Sequence, residues 1–130
     1  GAAAAVYSRR RSALPGGTVV KTSAGASLRL PMIPVVNVVR TLEQLQAAGF
    51  WIVGLEGRAE VSLWEDEVPA RLVVGAEGEG LSRLVSESCD QLLRVPIQGG
   101  VGSLNASVAA ALGMFEWRRT RASASAQGGD

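Results

Sequence analysis

The sequence predicts an α/β domain: a largely parallel sheet flanked by helices. Three observations carry this expectation. Short apolar runs such as Phe50-Trp-Ile-Val-Gly-Leu55 and Arg71-Leu-Val-Val-Gly75 are continuous rather than alternating, the pattern of strands covered on both faces. Segments with apolar residues at helical spacing alternate with those runs. Two of the runs empty into glycine-rich turns. The length of 130 residues suits one domain with one core, and a composition of 47% apolar and 19% charged residues is that of a globular chain.

Taken in order, residues 2–7 read as the tail of a strand. Pro15-Gly-Gly17 marks a loop, and Val19 to Ala24 a short helix ended by Gly25. Leu30 to Val36 contains two prolines, which permits an edge strand at most. Asn37 resembles an N-cap and Gly49 a C-cap, with Val38, Leu42, Leu45 and Ala48 on one apolar helical face between them. The strand Phe50–Leu55 follows, with Trp51 assigned to the core. Residues 57–69 are polar and acidic, a surface connection anchored by Leu63-Trp64. The strand Arg71–Gly75 leads into the first glycine turn. The helix Leu81–Cys89 turns Leu81, Leu84 and Val85 inward, and the strand Gln91–Ile97 leads into the second glycine turn. Ser103 opens the last helix as its cap. The helix carries a stripe of Leu104, Val108, Ala111, Leu112 and Phe115 that runs to Arg118, Arg119 and Arg121. Its small residues, Ala109 to Ala111 and Gly113, permit close approach by another backbone, from a second subunit or from the sheet. Residues 122–130 are rich in Ala, Ser and Gly and read as a disordered tail.

Composition excludes several chemistries. The chain has no histidine, the commonest general base and metal ligand, and one cysteine, so no disulfide or zinc cluster can form within it. Cys89 reads as a small buried hydrophobe rather than a nucleophile. No apolar run is long enough for a membrane span. The opening Gly-Ala-Ala-Ala-Ala precedes its arginines, the reverse of a secretory signal, and lacks an initiator methionine; the expectation is a cytoplasmic chain that starts inside a longer gene product. A net charge of +1 gives no global basic field. Arg9 to Arg11 and Arg118, Arg119 and Arg121 are local clusters, each readable as a phosphate-contacting patch or as solvated cations, the second at a helix C-terminus.

The glycine turns carry the functional signal. Glycine allows a ligand to approach bare backbone, and two such turns close in sequence suggest one pocket. Gly75-Ala-Glu-Gly78-Glu-Gly80 is neither the dinucleotide fingerprint nor a phosphate loop, and its two glutamates would repel a pyrophosphate. A neutral or cationic ligand fits better.

The joined segments Leu72-Val-Val-Gly-Ala-Glu-Gly-Glu-Gly-Leu81 and Val95-Pro-Ile-Gln-Gly-Gly-Val-Gly-Ser-Leu-Asn-Ala-Ser-Val-Ala109 resemble the second and third motifs of the SpoU (TrmH-like) RNA ribose 2′-O-methyltransferases of the SPOUT superfamily. The likeness continues upstream through Arg10-Arg-Ser-Ala13, Lys21-Thr-Ser-Ala-Gly-Ala26 and Phe50-Trp-Ile-Val-Gly54. It implies a methyltransferase domain over residues 1–121, N-terminally incomplete, and a deep trefoil knot that periodicity could not reveal. It also implies S-adenosylmethionine as cofactor, RNA as substrate with ribosomal RNA favoured over tRNA, no metal, and a homodimer joined through the glycine-turn region and the last helix. Gly75, Val95 and Leu104 match cofactor-contacting positions, with Val53, Gly54, Ala76, Gly80 and Ile97 as neighbours. Glu77, Ser103 and Asn105 match the polar positions assigned to catalysis, although Ser103 also reads as a helix cap and Asn105 as a turn amide. The family's first motif, which supplies an arginine, matches nothing here. The resemblance therefore implies the cofactor-binding part of an enzyme, itself weak or inactive. The alternative is a non-catalytic RNA- or partner-binding module of the same shape, or a tRNA-specific member.

Overall fold

The computed structural model describes residues 2–9, 29–65, 71–74, 80–99 and 106–128. The chain divides into two compact units, residues 1–41 and 42–130. In the first, strands β1 (Ala5–Ser8) and β2 (Met32–Val35) pair in parallel, Ala5 opposite Met32 and Ser8 opposite Val35. Pro34 lies within β2 and removes one ladder donor, which a strand with a single neighbour tolerates. The helix expected over residues 19–24 lies outside the described residues.

Helix α1 (Val38–Ala47) is bounded as its sequence predicts. The Arg40 N–H donates to Asn37 Oδ1 at 3.1 Å, an N-cap, and Gly49 at φ +90° closes the other end through its N–H to Gln46 O at 2.9 Å. Leu42 is its buried residue.

The second unit holds a four-stranded parallel sheet of β3 (Ile52–Leu55), β4 (Val61–Ser62), β5 (Arg71–Val74) and β6 (Gln91–Arg94), in the order β4-β6-β3-β5. Leu55 pairs with Val74 on one side and with Leu93 on the other, so the three longer strands end level. Helices α2 (Arg83–Ser88) and α3 (Ala106–Gln127) complete it. All four β3 residues are buried, as a central strand covered on both faces must be. Val53, Leu55, Leu63, Leu93 and Val95 form the core on one face, with Ala109, Leu112 and Trp117 of α3 packed against it. On the opposite face, Gly54 makes room for the residues flanking α2. A Cβ there would lie 2.7 Å from Leu81 Cδ1, 2.8 Å from Cys89 Sγ and 2.8 Å from Leu92 Cδ2.

Several expectations require correction. Trp51 is 47% exposed, at the open amino end of β3, where its indole N–H donates to Gln91 Oε1 at 3.4 Å. Among the described residues of the 57–69 connection the apolar anchor is Leu63, which is fully buried, whereas Trp64 is half exposed. Val61-Ser62 before it adds the short strand β4, with the Leu63 N–H donating to Arg94 O at 2.8 Å. Leu84 points outward because α2 is less than two turns long and buries its flank, Leu81, instead.

The last helix differs most. Its buried face is Ala109, Leu112, Gly113, Glu116 and Trp117, a helical stripe, while Val108 and Phe115 are exposed. Glu116 hides that stripe in the sequence. Its carboxylate is buried because Arg119 neutralises it, with Nε at 2.9 Å and Nη2 at 2.5 Å. The helix also runs to Gln127, through most of the segment that composition assigns to a disordered tail. Alanine is the best helix former, and Ser123 and Ser125 return their hydroxyls to Arg119 O and Arg121 O. Arg118, Arg119 and Arg121 consequently lie inside the helix rather than in its last turn, and the macrodipole reading of that cluster does not hold.

Candidate functional site

A parallel sheet gathers the loops after its strands at one edge. Here Leu55, Val74 and Leu93 are in register, so the chain leaves β3 at Glu56, β5 at residue 75 and β6 at Val95 along the same rim. The order of connection makes this edge a natural binding place. From β3 the chain goes first to β4 at one edge of the sheet, then to β5 at the other edge, and returns to β6 between β4 and β3, so the winding changes direction across the β3–β6 pair. Ligands of open α/β sheets sit beyond the carboxyl ends of the strands at such a switch.

The described part of the rim consists of Glu56, Gly80-Leu81 and Val95 to Gly99. Val95 is buried in the core, Pro96 and Ile97 are half-buried, and Gln98 and Gly99 are exposed. Gly99 takes φ +83°, a left-handed conformation that favours glycine, and no atom of the described residues lies within 4 Å of where its Cβ would be. Residues 95–99 carry no charge. An apolar shelf beside an open glycyl turn can hold a flat neutral group through van der Waals contact and main-chain hydrogen bonds.

Of the residues expected at the site, five are described. Gly80, Val95 and Ile97 are on this rim. Val53 and Gly54 lie one or two residues before the end of β3; the Val53 side chain belongs to the fully buried core, and the missing side chain of Gly54 is accounted for by α2 packing. Gly75, Ala76, Glu77, Ser103, Leu104 and Asn105 lie outside the described residues, as does the capping role read for Ser103.

Sequence reasoning passed over Glu56. Its carboxylate accepts the Leu81 N–H at 3.2 Å through Oε2 and the Arg58 N–H at 3.4 Å through Oε1. Its position directly after the buried β3 run is the only signal the sequence offers. Arg94, at the end of β6, is likewise structural: its Nη1 donates to Ala59 O at 3.2 Å and to Glu60 O, tying the strand to the turn before β4.

The opposite end of the sheet is built for stability. Asp90 Oδ2 accepts the Ile52 N–H at 2.7 Å and Gln46 Nε2 at 3.2 Å, and Gln46 Nε2 also donates to Ser88 O at 2.8 Å. Cys89 beside it donates to Val85 O at 3.2 Å. Burial, reinforced by the neighbouring Asp90 charge, pushes its thiol up from 9.0 to about 11, the behaviour of a packed thiol rather than a nucleophile. Among the described residues no cluster of His, Cys, Asp and Glu could hold a metal, and no described helix is long and apolar enough to cross a membrane.

Comparison with known proteins agrees with this geometry. Residues 1–115 match the SpoU rRNA Methylase family. The 23S rRNA (guanosine-2′-O-)-methyltransferase RlmB of Pseudomonas syringae pv. tomato is 43% identical over 123 residues, covering 93% of this chain and 49% of that protein. A crystal structure of an RNA 2′-O ribose methyltransferase superposes with a TM-score of 0.82 at 29% identity, over 93% of this chain and 47% of that one. The AdoMet complex of the SpoU methyltransferase AviRb from Streptomyces viridochromogenes shares the fold, with a TM-score of 0.81 at 23% identity over 91% of this chain and 49% of the other. The chain thus spans about half the length of these relatives. With its glycine turns, level parallel strands and a match over most of its length, the chain belongs to the SpoU rRNA methylase family.

Proposed function

We propose that this chain is the cofactor-binding part of an S-adenosylmethionine-dependent RNA ribose 2′-O-methyltransferase acting on ribosomal RNA. The observation that carries the reading is the convergence of three strand ends on one rim, two of them followed in the sequence by a glycine-rich segment. The rim suits the ligand. Val95 and Ile97 offer an apolar surface for adenine, no described atom crowds the Gly99 Cβ position, and residues 95–99 carry no charge to oppose a sulfonium. The bound cofactor supplies an electrophilic methyl group whose leaving group is a neutral thioether.

The residues of the chain have two tasks. The first is to hold the adenosine moiety by main-chain groups of residues 75–80 and 95–99, with Leu104 at the same pocket, so that the methyl faces the acceptor. Orientation of this kind removes several kcal/mol from a bimolecular barrier. The second is to position the ribose hydroxyl and receive its proton. Asn105 and Ser103 are proposed to orient the reactive groups by hydrogen bonds, and Glu77 to hold a partner cation or shape the site. The trefoil knot implied by the family resemblance belongs to the same proposal, supported by the fold likeness. So do a cytoplasmic location and a homodimer. The exposed apolar side chains of Val108, Met114 and Phe115 on α3 support the dimer.

Titration of the chain with S-adenosylhomocysteine, followed by methyl transfer to 23S rRNA in the presence of S-adenosylmethionine, tests the proposal. Saturable binding is expected. Full-length protein should transfer the methyl to a ribose 2′-oxygen, and substitution of Asn105 by Ala should abolish transfer while leaving binding within a fewfold. Transfer to a base rather than a ribose would contradict the assignment.

A further inference from the structure

We infer that Glu56 is a positioning residue for the first glycine turn, setting cofactor affinity without touching the cofactor; the inference rests on the cofactor reading above. Glu56 is the first residue beyond β3, and its own N–H donates to Leu93 O at 2.9 Å, which fixes its backbone to the β6 side of the switch. Its carboxylate reaches across to the far end of the 75–80 segment, where Oε2 accepts the Leu81 N–H at 3.2 Å. Leu81 is itself anchored, buried against the face of β3 that carries Gly54.

Gly80 completes the arrangement. It sits at φ +68°, and a Cβ built on it would lie 2.7 Å from Glu56 Oε2 and 3.0 Å from Oε1. The carboxylate therefore lies flush against the Gly80 main chain. Gly80 is a glycine for two reasons visible in the structure, its left-handed backbone and the seat it leaves for Glu56. A single residue thus links the ends of β3 and β6, through its main chain, to the exit of the first turn, through its carboxylate. Without it the Leu81 N–H loses its acceptor, and Gly80-Leu81 loses its tie to the end of β3.

The chemistry predicts a distinctive mutational pattern. Glu56→Ala removes the acceptor, whereas Glu56→Gln retains a carbonyl oxygen able to accept the Leu81 N–H. Asp90→Ala removes a comparable tie, to the Ile52 N–H, at the opposite end of the same sheet. Calorimetric titration with S-adenosylhomocysteine on the 130-residue chain and these three variants, with thermal melts of each, is the test. Loss of one charge-assisted hydrogen bond at the turn should weaken binding by about tenfold in Glu56→Ala. Glu56→Gln should recover most of that loss. Asp90→Ala should lower the melting temperature while leaving affinity within about twofold, because a global loss of stability acts weakly on binding to the folded state. Equal affinity of wild type and Glu56→Ala would overturn the inference, as would a Glu56→Gln variant no better than alanine, or an Asp90→Ala variant equally weakened. Failure of the wild-type chain to bind would instead remove the cofactor reading beneath it.

Discussion

Gly54 and Cys89 show how one packing contact decides the character of two residues. The Gly54 position admits no side chain because Leu81, Cys89 and Leu92 already occupy the space. Gly54→Ala should therefore destabilise the fold by about 1–3 kcal/mol through overpacking, read as a lowered denaturation midpoint with an unchanged slope. Cys89, on the other side of that contact, is held protonated well above neutral pH. At pH 8 the native thiol should react with iodoacetamide far more slowly than the same thiol in denaturant; comparable rates would show that it is not packed as described. The inert character of Cys89 was legible from its place between a helix pattern and a strand pattern. The reason for Gly54 was not, because a strand glycine looks the same whether a ligand or a neighbouring side chain requires the space. Trp51 misled for a related cause: it stands in an apolar run, yet it lies just before the strand begins, at the sheet's open amino end.

Elements bounded by local chemistry were read correctly. Helix α1 has its asparagine cap and its left-handed glycine where the sequence puts them. Asn37→Ala should cost about 1 kcal/mol of stability, measurable by chemical denaturation. Helix α3 differs from its sequence pattern in rotation and in length, because its inward stripe contains a glutamate and because no proline or glycine interrupts the chain between Arg121 and Gly128. The hydrogen bonds from Arg119 hold the Glu116 carboxyl below its ordinary 4.5, outweighing the opposing effect of burial. A carboxyl lowered in the folded state adds stability that is present above the unfolded value and lost as pH falls through the folded one. Wild-type stability should therefore decline below about pH 4.5, and Glu116→Gln should flatten that acid limb while lowering stability at pH 7. An acid limb unchanged in the variant would show that Glu116 does not contribute to it.

At the scale of the molecule, the α/β class and the parallel sheet followed from alternating patterns. The strand order, and with it the convergence of three strand ends, did not, because pairing is a long-range choice that short apolar runs leave open. The candidate rim was legible mainly through its glycines: Gly80 and Gly99 both take left-handed conformations there. The exposed side of α3 carries a prediction at this scale. Phe115, 77% exposed, has Val108 and Met114 on the same helix, both also exposed. For the proposed homodimer, Phe115→Asp should shift sedimentation toward monomer with little change in thermal stability of the protomer; a wild-type protein already monomeric at working concentration would exclude the dimer. The most direct test of the account as a whole is an amide correlation spectrum of the chain titrated with S-adenosylhomocysteine. The predicted result is perturbation concentrated at Glu56, residues 75–81 and residues 95–105, with Trp51, Asp90 and their neighbours unmoved. Perturbation centred on the amino ends of the strands, or none at saturating ligand, would contradict it.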